Sequence, residues 1–209
     1  MIIRGAVIVL CTQMLVGCIS LALDSDREPM HTHLLNPGWK GETIIHTAST
    51  PSAAVLLITR PQTQSGYDTP QMAYLRRPHE IEYYATHRWV DSPPRMLAPL
   101  LVQAMERTGA WKAVVQAPTI VAGDYRLESD QFIIEQLFFE QPNRVRIALR
   151  AQLFDLKQYG VIGSKSFEVF EVSPSEDANG AATAANRGTE RLLDDLANWA
   201  SACAQHSEC

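Results

Sequence analysis

GYDTPQMAYLRRPHEIEYYATHRWVDSPPRMLAPLLVQAMERTGAWKAVVQ, residues 66–116, decides the fold. Met72 and Tyr74 alternate with polar or neutral neighbours, and so do Ile81 and Tyr83. A period of two suits strands with one buried face. Arg76-Arg77-Pro78-His79 reads as the connection between them, because the residue before a proline is pushed out of the helical region. Asp91 or Ser92 then caps a helix, and Pro93-Pro94 suit its first positions, where a missing N–H costs nothing. Leu97, Leu100, Leu101, Ala104 and Met105 recur at helical spacing and make one apolar stripe. Gly109 fits the left-handed residue that ends such a helix. Pro99, inside the stripe, predicts a bend or a delayed start. Trp111, Val114 and Val115 resume an apolar run, read as a return strand.

On either side of this stretch the pattern continues. Ala54-Val55-Leu56-Leu57-Ile58 is a run of β-formers, read as a central strand. Residues 61–69 form a loop with Ser65-Gly66 as turn chemistry. Tyr67 and Asp68 at its end read either as functional groups or as a packing aromatic and a loop-closing hydrogen bond. Residues 124–139 alternate but change phase. Tyr125 and Leu127 share one parity, Phe132 and Ile134 the other, and a bulge near Ser129-Asp130 reconciles them. Pro142-Asn143 turns the chain into Val145, Ile147, Leu149, Ala151 and Leu153, which alternate cleanly with Arg144, Arg146 and Arg150 on the opposite face. That basic stripe either meets an acidic partner or lipid head groups, or pairs across strands with Glu128, Glu135 or Glu168. After a turn at Tyr159-Gly160, residues 161–172 complete a meander.

Ser173-Pro174-Ser175-Glu176 has capping-box spacing and predicts the start of the last helix, with Asp177 adding favourable charge. Leu192, Leu196, Trp199, Ala200 and Cys203 mark its buried stripe. Its first half is rich in Ala and Gly, with Gly180 and Gly188 predicting a break or a close contact with the sheet or with another subunit. Together these elements give an α+β domain of two layers: a mostly antiparallel mixed β-sheet with two main helices packed on one face.

The chain of 209 residues allows one domain of ordinary size. Its net charge of −5 argues against a nucleic-acid surface. Arg4 precedes an apolar segment, residues 5–16, which is shorter than the roughly 20 residues that span a bilayer. With Leu15-Val16-Gly17-Cys18 after it, this reads as a secretory signal, and the last four residues resemble the lipobox of bacterial lipoproteins. The resemblance implies that Cys18 becomes the first mature residue and carries a thioether-linked diacylglycerol, usually with an N-acyl chain. Two or more such chains anchor a protein stably. Ile19-Ser20 follows with no Asp beside the Cys, which in related lipoproteins points to the periplasmic face of the outer membrane. The expected division is therefore a signal at 1–17, an acylated N-terminus and tether at 18–52, a folded body at 53–205 and a tail at 206–209. A short strand is expected at residues 43–46. His31-x-His33 in the tether reads as half of a metal site or as two solvated histidines. Once Cys11 leaves with the signal, Cys203 and Cys209 remain. An intramolecular disulfide, intermolecular pairing and free thiols all stay open, and the first requires the tail to leave the helix and turn back.

Tyr67-Asp68-Thr69, Met72-x-Tyr74, Glu82-Tyr83-Tyr84, Arg88-Trp89-Val90-Asp91, the helix with Met96-Leu97 and Leu100-Leu101, and Gly109-x-Trp111-x-Ala113-Val114 follow one another in a recognisable order. In order and spacing they resemble the ABC-type transport auxiliary lipoprotein family. The resemblance implies a periplasmic lipoprotein accompanying mammalian-cell-entry (MCE) type ABC transporters of phospholipids or other apolar molecules. It implies docking on the MCE subunit, a ring-forming homo-oligomer, energy from a separate ATPase, no catalysis and no cofactor. Tyr67, Asp68, Met72, Tyr74, Tyr83, Tyr84, Arg88 and Trp89 are the candidate partner-contact or family-motif residues. The fold is also similar to the N-terminal domain of TolB-like proteins. Two other classes are weighed. A lipid-binding module would hold an acyl chain between the helix at residues 96–105 and the sheet. A hydrolase would use Asp68 or Asp91, but the chain has no Gly-x-Ser-x-Gly elbow, no phosphate-cradling Gly loop and no His-Glu-x-x-His helix.

Overall fold

The computed structural model describes residues 28–39, 53–206 and 209. The expected signal at 1–17, the acylation site Cys18 and the strand at residues 43–46 lie outside the described residues. The described elements, in order, are β1 (His31–His33), β2 (Val55–Ile58), β3 (Gln71–Arg77), β4 (Glu80–Trp89), α1 (Pro93–Arg107), β5 (Ala113–Gln116), β6 (Tyr125–Leu137), β7 (Arg144–Asp155), β8 (Gly160–Val172) and α2 (Ala178–His206).

β6 is the spine of the sheet. One edge carries β7 along its whole length, and β8 lies beyond β7. The other edge is shared. β2 runs parallel beside residues 125–127, and β3 runs parallel beside residues 135–137. β5 pairs outside β2, while β4 and then β1 pair outside β3. The hairpin ladders are long and antiparallel because short turns join consecutive strands. The parallel pairings are short and link strands separated by crossovers. At β6 the register slips between Asp130 and Ile133, with Gln131 at φ 55°. This bulge brings Phe132 and Ile134 onto the same buried face as Leu127, as the change of parity requires.

That face packs against both helices in a single core. β7 contributes Val145, Ile147, Leu149, Ala151 and Leu153, α1 contributes Leu97, Leu101 and Met105, and α2 contributes Leu192, Leu193 and Leu196. Each fully buried Leu is worth about 1.5–3 kcal/mol. The arginines of β7 lie on the other face, where Arg146 and Arg150 are paired across strands and Arg144 holds Glu140 of the preceding turn at 2.8 Å. Arg146 bonds Glu135 at 3.1 Å and Glu168 at 2.6 Å, and Arg150 holds Asp130 at 2.5 Å. The basic stripe is thus already neutralised within the sheet.

α1 starts where its two prolines predict. Ser92 is extended (φ −62°, ψ 142°), and its carbonyl accepts from the N–H groups of Arg95 and Met96. Pro99 neither delays nor ends the helix. It faces solvent one turn after the equally exposed Arg95, whose carbonyl loses the intrahelical bond and can be hydrated instead. Gly109, at φ 63°, closes the helix with a bond to Glu106 O.

α2 starts later than the capping-box spacing predicts. Asp177, not Ser173, is the cap: its Oδ1 accepts from Gly180 N at 2.7 Å and from Ser175 Oγ at 2.7 Å. A carboxylate outcompetes a hydroxyl at this position because its acceptor is charged. Ser173 Oγ donates to Ser175 O instead. No break occurs at the glycines. A Cβ at Gly180 would collide with Ser175 O, and one at Gly188 with Ile147 Cδ1. The close contacts are therefore within the domain. Ala181, Ala182, Ala184 and Ala185 are buried there as well, so the small side chains of this half of the helix pack within the domain.

The reading of 18–52 as tether needs correction over the described residues 28–39. β1 pairs in parallel with β4, His31 opposite His87 and His33 opposite Trp89. Leu35 is buried, Asn186 on α2 accepts from Asn36 N and donates to Leu34 O, and Arg107 stacks over Trp39 at 5.0 Å. A three-residue strand carries too little periodicity to be read from sequence. At the other end Cys203 and Cys209 are joined by a disulfide, Cα atoms 5.1 Å apart, and Cys209 Sγ lies over Gly163 of β8. No described helix is long and apolar enough to cross a membrane.

Candidate functional site

The β3–β4 hairpin has two differently built faces. On the inner face the Tyr74 and Tyr84 rings meet at a tilt of 56° with centroids 4.8 Å apart, and Phe138 meets Tyr74 edge-on at 5.6 Å. They line an open groove of about 560 Å³, with Arg76 on one side and Glu176, just before α2, on the other. Tyr84 Oη donates to Gln136 Oε1 at 2.6 Å. Gln136 is itself buried and donates to Asn143 Oδ1 at 2.9 Å. Tyr74 Oη donates to Glu82 Oε2 at 2.9 Å. Burial, then the nearby Asp177 and Tyr74, push the Tyr84 phenol well above its ordinary range; burial and then Glu82 raise Tyr74. Both therefore stay neutral, and the groove presents fixed aromatic surface with one charge of each sign at its rim.

On the outer face the loop at residues 61–69 folds over the hairpin. Tyr67 Oη donates to the buried carboxylate of Glu135, which Arg146 also holds. Tyr83 Oη donates to Gly66 O at 2.8 Å. Gly66 sits at φ 93°, a conformation open to glycine, with Tyr83 and Ile81 against its α-carbon side. Burial, then the bond to Glu135, raises the Tyr67 phenol above its ordinary value.

The sequence-predicted set is thus divided. Tyr74 and Tyr84 come together in the groove, with Tyr83 at its edge. Tyr67 fastens the loop. Asp68 is exposed in a separate polar cleft of about 460 Å³ with Arg60 and Arg95. Arg88 is exposed on β4. Met72 and Trp89, each 2% exposed, are core residues and offer a partner nothing. Asp91 lies beside Arg95 at 3.9 Å. Arg76, Phe138 and Glu176 were missed by the sequence reading, because they come from three separate segments and no spacing links them. Among the described residues no cluster of His, Cys, Asp or Glu is arranged to hold a metal. The groove's side chains offer aromatic faces and hydrogen-bonding hydroxyls.

A family described as ABC-type transport auxiliary lipoprotein component matches residues 42–197. No curated protein matches the chain. Among solved structures, a Xanthomonas campestris protein is 23% identical with a TM-score of 0.72, over 85% of this chain and 97% of that one. An uncharacterized protein is 12% identical with a TM-score of 0.62, over 82% of this chain and 99% of that one. A hypothetical protein from Chlamydia trachomatis is 7% identical with a TM-score of 0.52, over 72% and 96%. At these identities the structures share the fold.

Proposed function

The chain belongs to the ABC-type transport auxiliary lipoprotein family, and from that premise we propose that it is a non-catalytic, lipid-anchored periplasmic component of an MCE-type transport system. In this reading Cys18 is acylated and fixes the body to the periplasmic face of the outer membrane. The folded body docks on the MCE subunit and connects it to that membrane, so that phospholipids or other apolar molecules can pass. The body also self-associates.

The observation that carries the docking role is the open groove of Tyr74, Tyr84 and Phe138, flanked by Arg76 and Glu176. Rigid aromatics with a hydrogen-bonding end are enriched at protein interfaces, and they lose little conformational entropy on contact. The alternative reading, an acyl chain between α1 and the sheet, has less support. Leu97, Leu101 and Met105 of α1 already pack there against Leu56 and Ile58 of β2.

A pull-down with the intact acylated chain tests the reading. The MCE subunit is expected to co-purify with the wild type and to be lost, or weakened about tenfold or more, with Tyr84→Ala, as for a central aromatic contact. Equal recovery of the MCE subunit by both proteins would remove the groove as the docking surface. No recovery by either would remove the MCE role itself. Native mass spectrometry of the purified chain addresses the alternative, since a co-purified lipid would revive it.

A further inference from the structure

β1 brings two histidines onto the edge of β4, where a third is waiting. His31 stacks on His87 with ring centroids 4.8 Å apart, and His33 stacks on His87 at 5.2 Å. His33 Nε2 and His87 Nδ1 are 2.9 Å apart, a hydrogen-bonded pair. His33 also meets the buried Trp89 edge-on. No three of these donors converge on a point that an ion could occupy, so the cluster is read through its protons.

A bond between two imidazole nitrogens needs one donor and one acceptor. The pair can hold that bond when both rings are neutral or when one is protonated. If both are protonated, two N–H groups face each other and two like charges sit in contact. We infer that the His33–His87 pair, with His31 stacked on it, is a proton-operated latch, which holds β1 on the sheet at neutral pH and releases it when both imidazoles of the pair are protonated. β1 is three residues long and pairs only with β4; past it the chain is held by Val90 N on His33 O, by the buried Leu35 and by the Leu34–Asn36 contacts with Asn186, so release is confined to residues 31–33.

The surroundings set the sign. Burial first, then His87 and His31, lower the proton affinity of His33, and Asp177 at the start of α2 opposes them. The positive end of α2 adds to the cost of a proton, and Asp177 offsets part of it. Arg88 lies between His87 and Trp89 in sequence and points to the opposite side of β4. A histidine whose affinity is lowered in the folded state stabilises that state fully above its ordinary titration range. That stability is lost as pH falls through the range towards the folded value. Release would uncover the edge of β4 and lengthen the segment leading back towards the N-terminus.

Hydrogen exchange of the intact chain at about pH 7.5 and about pH 5, corrected for intrinsic rates, reads the latch on either side of the histidine range. On acidification the amides of residues 31–33 and 87–90 should lose protection fivefold or more, about the least that one like-charge contact costs near a surface. Those of β7 should not change. His33→Gln and His87→Gln each remove the 2.9 Å imidazole pair, so two N–H groups can no longer be forced against each other there, and each should keep the loss below about twofold. Unchanged protection in the wild type, or a loss that both variants retain, overturns the latch. If a variant also exposes β7, the wild type alone decides by NMR. The imidazole titration of His33 and the loss of β1 protection must share a midpoint, and separate midpoints refute release by protonation.

Discussion

Replacing Arg146 with Ala should destabilise the body by about 1–3 kcal/mol at neutral pH. Glu135 sets the magnitude. Its side chain is 3% exposed and has two partners, Arg146 at 3.1 Å and the Tyr67 hydroxyl. Removing one partner of a fully buried pair costs about 3–5 kcal/mol, because a charge is left without compensation. Arg146 is itself 36% exposed and also bound to Glu168. Water can therefore reach the vacated space, and the cost is discounted accordingly. For a body of this size a loss of 2 kcal/mol lowers the melting temperature by about 4–8 °C. The assay is thermal and urea unfolding of wild type, Arg146→Ala, Glu135→Gln and the double variant. Gln at 135 can still accept from Tyr67 without charge, so the double variant should recover about half or more of the loss. Additive effects in the double variant, or a loss from Arg146→Ala below about 0.5 kcal/mol, would refute the claim that Arg146 compensates the buried carboxylate.

Three further outcomes are expected. Tyr84→Phe should cost about 0.5–1.5 kcal/mol in urea unfolding, because it removes the bond to the buried Gln136 Oε1 while keeping the ring. Asp177→Ala should cost about 1 kcal/mol at neutral pH by loss of the α2 cap. The Gly180 N–H first, then the Ser175 hydroxyl, hold that carboxyl below its ordinary range. Its contribution is thus complete above that range and fades as pH falls towards the folded value, so wild type and variant should converge in acid unfolding curves. Reducing the Cys203–Cys209 disulfide, which closes a separation of six residues, should cost about 2 kcal/mol in the loop-entropy account, read as a shift in melting temperature.

What could be read from the sequence was local and periodic. The alternation of Val145, Ile147, Leu149, Ala151 and Leu153 named the inner face of β7, because one buried face imposes a period of two. The phase change between Leu127 and Phe132 located the bulge. The prolines before Arg95 located the start of α1. What could not be read depended on pairing between distant residues or on competition between neighbours. His31–His33 carries no signal of its own and gains its structure from His87 and Trp89. Ser173 and Asp177 both satisfy the rules for a helix cap, and only the geometry of Gly180 separates them. Met72 and Trp89 read as candidate partner-contact or family-motif residues because alternation gives two faces without saying which one is covered. The groove joins side chains from β3, β4, the end of β6 and the approach to α2, and no motif spans them.

The shared edge of β6 bears on how the polypeptide reaches this state. β6, β7 and β8 are consecutive and can zip together from two short turns. β2 and β3, by contrast, lie nearer the N-terminus than the strand against which they align. A chain that emerges N-terminus first exposes them before their template exists, and closing those long loops is the slow part of assembly. The waiting time during which unpaired strands are open to aggregation is therefore set by how soon the C-terminal meander arrives.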